Sequence, residues 1–266
     1  MDFMREGVKI HYEDEGSGLP VIWAHPFPFD HGIWDAQGLL SKQFRIIRPD
    51  LRGFGKSDIP EGPYRVETHA DDLAALLGHL GVEKAVWAGL SMGGYVCLAA
   101  LERHPQRVAG VIFAGSRVLA DTEETRRARS LNAARIRGGG FEEFTKAMPQ
   151  RLLGATTLRD RPEEAGRILA AIRRQKPEAV AWALEGMGSR KNQSVLFGSW
   201  EGPVLIIHGE EDAFVPLAEA RENAGQLRHG RSAWIPGAGH LMNIEKPDEF
   251  NRAVEEWLGT LSLPSP

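Results

Sequence analysis

Residues 84–94 read Lys84-Ala85-Val86-Trp87-Ala88-Gly89-Leu90-Ser91-Met92-Gly93-Gly94. Lys84–Leu90 is a short apolar run of the kind that forms a buried strand. It leads directly into Gly89-Leu90-Ser91-Met92-Gly93, a G-x-S-x-G, and Met92–His104 then reads as a helix. A serine between a buried strand and a helix sits on a tight, strained turn that lifts its hydroxyl above the sheet. Glycines two residues to either side let neighbouring backbone crowd in without a clash. Met92 opens the helix, so its N–H lacks an intrahelical acceptor and is free to bind a developing oxyanion.

Working outward, short turn-bounded apolar runs recur at Val21–Ala24, Phe44–Arg48, Val108–Ala114, Val204–His208 and Ser232–Ile235, and Val8–Glu13 alternates like an edge strand. Helical patterns separate them. Thr68–Leu80 carries Leu73, Leu76, Leu77 and Leu80 on one face, and Pro247–Leu258 is a second amphipathic stretch. Alternating strands and helices predict an α/β fold with a mostly parallel sheet covered on both faces.

The segment Arg117–Trp200 breaks this alternation. It shows no convincing strand and helical stretches at roughly Thr122–Ile136, Phe141–Leu152, Pro162–Gln175 and Glu178–Met187. Its 13 Arg and 3 Lys against 10 carboxylates give a formal +6, which leaves −10 for the rest of a chain whose net charge is −4. A basic helical insertion in an acidic core predicts residues 1–116 and 201–266 as one core domain and 117–200 as a helical cap, or lid. Gly138-Gly139-Gly140 is a candidate hinge.

Composition excludes several classes. At 266 residues, 42% hydrophobic and 26% charged, the chain has ordinary globular composition, so intrinsic disorder is excluded. A single cysteine, Cys97, excludes a disulfide scaffold and reads as a small core residue. A pI near 6.2 gives no basis for bulk-charge binding of nucleic acid. No apolar run approaches the roughly 18 residues needed to span a bilayer, so no membrane partner is expected. Met1-Asp2-Phe3-Met4-Arg5-Glu6-Gly7 lacks a basic region followed by an apolar one, which makes a cytoplasmic protein the expectation. No His, Cys and Asp spacing suggests a metal site, and no dinucleotide or P-loop fingerprint occurs, so no cofactor is expected.

A serine at its ordinary pKa is a weak nucleophile and needs a base, which in turn needs an orienting acid. The run Val204–His208 ends in Gly209-Glu210-Glu211-Asp212, carboxylates just past a strand's C-terminal end. The last strand leads into Pro236-Gly237-Ala238-Gly239-His240, a histidine on a glycine-rich loop at the same edge. The order Ser91, Asp212, His240 is the one described for α/β-hydrolases.

With these motifs in view, the whole chain resembles the α/β-hydrolase superfamily, in its small esterase, lactonase and cofactor-free haloperoxidase-like branch. The resemblance rests on His25 with Phe27, on Asp50-Leu51-Arg52-Gly53-Phe54-Gly55-Lys56-Ser57, on Gly89–Gly94, on the Asp212 loop and on Gly239-His240. It implies that Asp212, four residues before Pro216, is preferred as the acid over Glu210 and Glu211. It implies a structural role for His25 and a second oxyanion donor at the Phe27 N–H; Ser57 and Asp58, which follow the glycine-rich turn, read as fixing loop geometry rather than binding phosphate. Pro26 stands where relatives commonly have glycine, and Pro28 follows, so Phe27 is pinned between two rigid residues in a preorganised loop. A cis His25–Pro26 bond is one way to shape that loop. His208 reads as a strand-end histidine satisfied by hydrogen bonds. Trp182 and Met187 are candidate acyl-pocket residues, a role for which helical core packing is an equal alternative.

The function expected is a serine hydrolase of small-molecule carboxylic esters or lactones, working through an acyl-enzyme on Ser91. Peroxide in place of water at deacylation, or cleavage of a C–C bond, would use the same triad. Epoxide hydrolases and haloalkane dehalogenases of this fold carry aspartate where Ser91 stands and are disfavoured. A non-catalytic receptor on the same fold is the alternative of another class. Oligomeric state is not readable from these motifs.

Overall fold

A computed structural model describes residues 1–261; the last five residues of the expected core segment 201–266, numbers 262–266, lie outside the described residues. Eight strands form one sheet: β1 (Asp2–Arg5), β2 (Val8–Glu15), β3 (Pro20–Ala24), β4 (Arg45–Pro49), β5 (Ala85–Leu90), β6 (Val108–Ala114), β7 (Val204–Gly209) and β8 (Gly230–Ile235). Their spatial order is β1-β2-β4-β3-β5-β6-β7-β8. β2 pairs antiparallel with both β1 and β4, and the remaining neighbours are parallel.

The continuous apolar runs became the central strands. Every residue of β5 and of β7 is buried, as expected of parallel strands covered on both faces. Val8–Glu15 is not the edge strand that its alternation predicts. The short β1, too polar and too brief to be read from sequence, pairs outside it. The helix Val66–His79 buries Leu73, Leu76 and Leu77, while Leu80 caps its end. The last helix, Pro247–Leu258, starts with proline at its first turn and buries Phe250, Val254, Trp257 and Leu258, one apolar stripe at i, i+4, i+7 and i+8. Among the described residues no helix is long and apolar enough to cross a membrane.

Between β6 and β7 the chain is helical, and its boundaries follow local chemistry. Thr122 caps the helix Glu123–Arg135 by accepting the N–H of Thr125 at 3.2 Å. The chain then turns at Gly139, whose φ is +91°, before the helix Phe141–Lys146. The expected single helix Phe141–Leu152 is interrupted ahead of Pro149, which opens a separate turn, Pro149–Leu152. Glu163–Arg173 and Pro177–Gly188 match the remaining expectations, with Ala155–Asp160 and Ser194–Ser199 added. This segment contributes to both apolar layers of the molecule. Leu184 and Met187 join the layer built on β5 and the two helices that follow β4 and β5, whereas Met148, Leu152 and Ile172 join the layer on the sheet's other face.

The strand order reverses direction beside β3. The chain runs from β3 outward to β4, returns to β5 on the other side of β3, and continues outward from there. In open parallel sheets such a switch leaves a crevice beyond the strands' C-terminal ends. Ala24 pairs with Gly89, so the loop after β3 and the turn after β5 emerge side by side at that crevice.

Candidate active site

Ser91 lies between β5 and the helix Met92–Arg103 with φ 53° and ψ −112°, a backbone conformation that L-residues rarely adopt. The turn is pinned on every side. The Ser91 N–H donates to Ala114 O at 2.9 Å, and its carbonyl accepts from the Gly94 N–H at 2.9 Å and the Ser116 hydroxyl at 2.7 Å. The glycine at 93 is obligatory for a spatial reason: a Cβ there would stand 2.0 Å from the Ala24 carbonyl oxygen.

Asp212 follows β7 and is buried. One carboxylate oxygen lies 2.8 Å from His240 Nδ1, and the other accepts the N–H groups of Phe214 at 2.7 Å and Val215 at 3.0 Å. Burial alone would raise this carboxyl's pKa. The His240 charge and hydrogen bond, with the Val215 N–H, outweigh burial and hold it below the usual carboxylate range. Asp212 thus stays ionised and fixes a proton on Nδ1, which leaves Nε2 as the basic nitrogen of His240. Glu211 turns elsewhere: its carboxylate accepts the backbone N–H of Thr156 at 2.8 Å and the Thr156 hydroxyl at 2.6 Å.

His240 is held by its surroundings as well. Its N–H donates to Leu152 O at 2.9 Å, and the Phe214 ring lies 5.0 Å from the imidazole. Buried Glu245 accepts the N–H groups of Gly239 at 2.9 Å and Leu241 at 3.2 Å, bracing the loop on both sides of the histidine. Its other oxygen accepts from Gly154 at 2.8 Å and from the Thr157 hydroxyl at 2.6 Å, tying that loop to the helical segment. Gly115, φ 48°, ends the strand between the serine and the acid. A Cβ there would press on Met242 Cε at 3.1 Å and stand in ordinary contact, 3.5 Å, with both Asp212 Oδ2 and His240 Nδ1, so the positive φ rather than space is what favours glycine here. Glu245, Gly115 and Ser116 carry no motif of their own, and only the fold relates them to the site.

In the loop after β3 the cis bond is Phe27–Pro28 and not His25–Pro26. His25 is buried. Leu51 N–H donates to its Nε2 at 3.0 Å, so the proton sits on Nδ1, which donates to Pro26 O at 3.0 Å. Burial pushes its pKa down, and both nitrogens are committed to holding loops. His208 is likewise a buried strand-end histidine, with Nε2 on Val215 O at 2.9 Å and its pKa pushed down by burial. Among the described residues, the N–H groups of Phe27 and Met92 have no protein acceptor.

A cavity of about 290 Å³ joins these groups. Phe27, Ser91 and His240 line it, with Tyr95, Phe214 and Met187 further along the wall. Met187 lines this cavity and is at the same time packed in the apolar core, so it fits both alternatives offered for it. Trp182 does not line the cavity: it packs on Gly62 under the Arg137 guanidinium, 4.2 Å from the ring. Both residues lie on the helix Pro177–Gly188, and sequence alone does not say which face turns inward. Spacing along the chain also missed a polar cluster. Asp30, His31 and Asp50 bring potential ligand atoms within 4.8 Å of one another. Their atoms are engaged in protein hydrogen bonds: Asp50 accepts from the N–H and Nδ1 of His31, each at 2.7 Å, and from Lys56 N–H at 2.8 Å, while Asp30 accepts from Gln175 at 2.8 Å.

A sharp serine turn at a topological switch point, faced by a histidine–carboxylate pair, is the architecture of an α/β-hydrolase. Residues 20–247 match the alpha/beta hydrolase fold family model, and the chain belongs to that family, in its small esterase, lactonase and haloperoxidase-like branch. The chain superposes on a thermophilic esterase from Thermogutta terrifontis with a TM-score of 0.94 and 37% identity over 98% of this chain and 97% of that one. It is 26% identical to 3-oxoadipate enol-lactonase 2 of Acinetobacter baylyi over 94% of this chain and 93% of the relative. It is 31% identical to a non-heme chloroperoxidase of Streptomyces lividans over 92% of this chain and 94% of that protein.

Proposed function

We propose that the protein is a serine hydrolase of small carboxylic esters or lactones, acting through an acyl-enzyme on Ser91. The observation that carries this reading is the convergence of Ser91 and the Asp212-oriented His240 on one cavity, beside two backbone N–H groups without protein acceptors. The esterase and enol-lactonase likenesses agree with it.

In this mechanism the Ser91 oxygen attacks the substrate carbonyl carbon while His240 Nε2 takes the hydroxyl proton. Asp212 stabilises the imidazolium. The N–H groups of Phe27 and Met92 bind the oxyanion, a contribution worth roughly 10²–10³ in rate per donor at comparable sites. The C–O bond breaks and the alcohol, or the opened lactone's hydroxyl, leaves with the proton from His240. Water then attacks the acyl carbon, with His240 again as base, and the acid is released from Ser91. The helical segment 117–200 acts as the cap that encloses the acyl group, with Met187 on its wall.

The test is turnover of a p-nitrophenyl ester series from acetate to palmitate and of a lactone panel, together with labelling by a fluorophosphonate. Turnover and labelling in the wild type, both lost in Ser91→Ala, are expected. A folded wild type that neither turns over nor labels would replace this reading with a binding protein on the same fold. A second reading, with peroxide as the deacylating nucleophile, is favoured by the 31% identity to a chloroperoxidase and would appear as peracid formed from acetate and peroxide.

A further inference from the structure

Among the described residues three arginines, Arg117, Arg129 and Arg151, line the catalytic cavity, and no aspartate or glutamate does. Two of them have protein counter-ions. Arg117 Nε lies 3.2 Å from Glu219, with Nη2 on Phe214 O at 2.7 Å. Arg129 pairs with buried Asp121 at 2.6 Å, a carboxylate that also serves Arg190 at 2.6 Å, so two cations share one anion behind the wall.

Arg151 differs. It is solvent-exposed at the open side of the cavity, and among the described residues no carboxylate lies within ion-pair distance of it. Its guanidinium sits 4.5 Å over the Phe214 ring, and that ring lies 5.0 Å from His240. The two stacking distances put the guanidinium within about 9.5 Å of the imidazole. A planar cation with five donors, fixed by an aromatic face and left without an anion, is built for bidentate pairing with a carboxylate. The aromatic face restricts where the head group can go, which lowers the ordering cost of such a pair. The surrounding segment's formal +6 acts in the same direction, drawing anions toward the mouth.

We infer that Arg151 is the specificity residue of this site, anchoring a free carboxylate on the substrate, so that the preferred substrates are half-esters of short dicarboxylic acids or lactones bearing a carboxylate. This rests on the hydrolase reading and adds the substrate class to it. The carboxylate pairs with Arg151 while the scissile carbonyl, a few carbons away, lies at Ser91. The apolar part of the wall, Met148, Leu184 and Met187, offers a carboxylate no partner, whereas the exposed Arg151 pairs it at the open side of the cavity.

The experiment compares monoethyl succinate with ethyl levulinate, its uncharged counterpart of the same shape, by pH-stat. The wild type is expected to favour the half-ester by about tenfold or more in kcat/KM, the scale of one charge-assisted hydrogen-bonded pair. Arg151→Met should lower that ratio about ten- to hundredfold, chiefly through KM, and Arg151→Lys should recover part of it. A role confined to packing on Phe214 would not move the ratio. Raising NaCl to 0.5 M should shrink the wild-type preference. Both esters hydrolysed with a ratio near one, or with the same ratio in Arg151→Met, would overturn the inference and leave the hydrolase reading standing. If neither ester is hydrolysed although the p-nitrophenyl or lactone substrates are, the inference is overturned and the hydrolase reading stands; if those too are untouched and the fluorophosphonate does not label, the hydrolase reading falls and the inference falls with it.

Discussion

The N–H of Leu51 donates to Nε2 of His25 across 3.0 Å, and this bond ties the loop after β4 to the loop that presents Phe27. It sets the imidazole in one neutral tautomer whose Nδ1 donates to Pro26 O. His25→Phe leaves a buried N–H without a partner and is expected to cost about 1–3 kcal/mol, with ester kcat lowered up to about 10²-fold as the Phe27 donor shifts. Urea unfolding and kcat measured on one preparation check this. Lost activity at unchanged stability would instead make His25 a reacting group.

Ser91 holds a positive φ with a Cβ attached, a strain of order 1–3 kcal/mol. Ser91→Gly relieves it, whereas Ser91→Ala keeps the Cβ and the strain. The glycine variant should therefore be inactive yet more stable than the alanine variant by about 1 kcal/mol, read as a higher Tm. Equal stability of the two variants would mean that the turn is unstrained.

Asp212 and Glu211 are neighbours in sequence with different partners, one on His240 and the other on Thr156. Asp212→Asn removes the charge that orients the imidazole and should lower ester kcat by about 10³–10⁴. Glu211→Gln should leave kcat within severalfold and cost at most about 1 kcal/mol through its Thr156 bonds. Parallel kinetics and unfolding of the two variants decide the matter, and a comparable kcat loss in Glu211→Gln would reassign the acid.

His69 is buried with neither ring nitrogen bonded, and burial pushes its pKa down to about 3. Between the ordinary histidine value of 6.5 and about 3, the unfolded chain binds a proton that the folded chain refuses. Stability is therefore fully present above pH 6.5 and is lost as pH falls toward 3. Between pH 7.5 and pH 5 this one group should remove about 2 kcal/mol. His25 and His208 act in the same direction, so the comparison is with His69→Leu. The variant's stability should fall less than the wild type's over that interval, as read by urea titration at both pH values. Identical losses would place the acid sensitivity elsewhere.

Much of this molecule was legible in the chain alone, because the signals are local. Lys84–Leu90 is apolar throughout since a central parallel strand is covered on both faces. The serine turn needs glycines at fixed offsets, and the acid and His240 each fall just past a strand's end, on the edge where that turn stands. The basic helical character of 117–200 is written in its composition. Tertiary structure decided what depends on residues far apart in sequence. The cis bond at Phe27–Pro28, the bracing of the His240 loop by Glu245 and the positive φ of Gly115 beside the Asp212–His240 pair arise where separate loops meet. So does the choice of Met187 over Trp182 for the cavity wall, since one helix turns a single face inward and only its neighbours determine which. The same holds for the arginines. Sequence counts sixteen cations in the segment, but which of them line the cavity, and which of those lacks a carboxylate partner among the described residues, is a property of packing, and that property singles out Arg151.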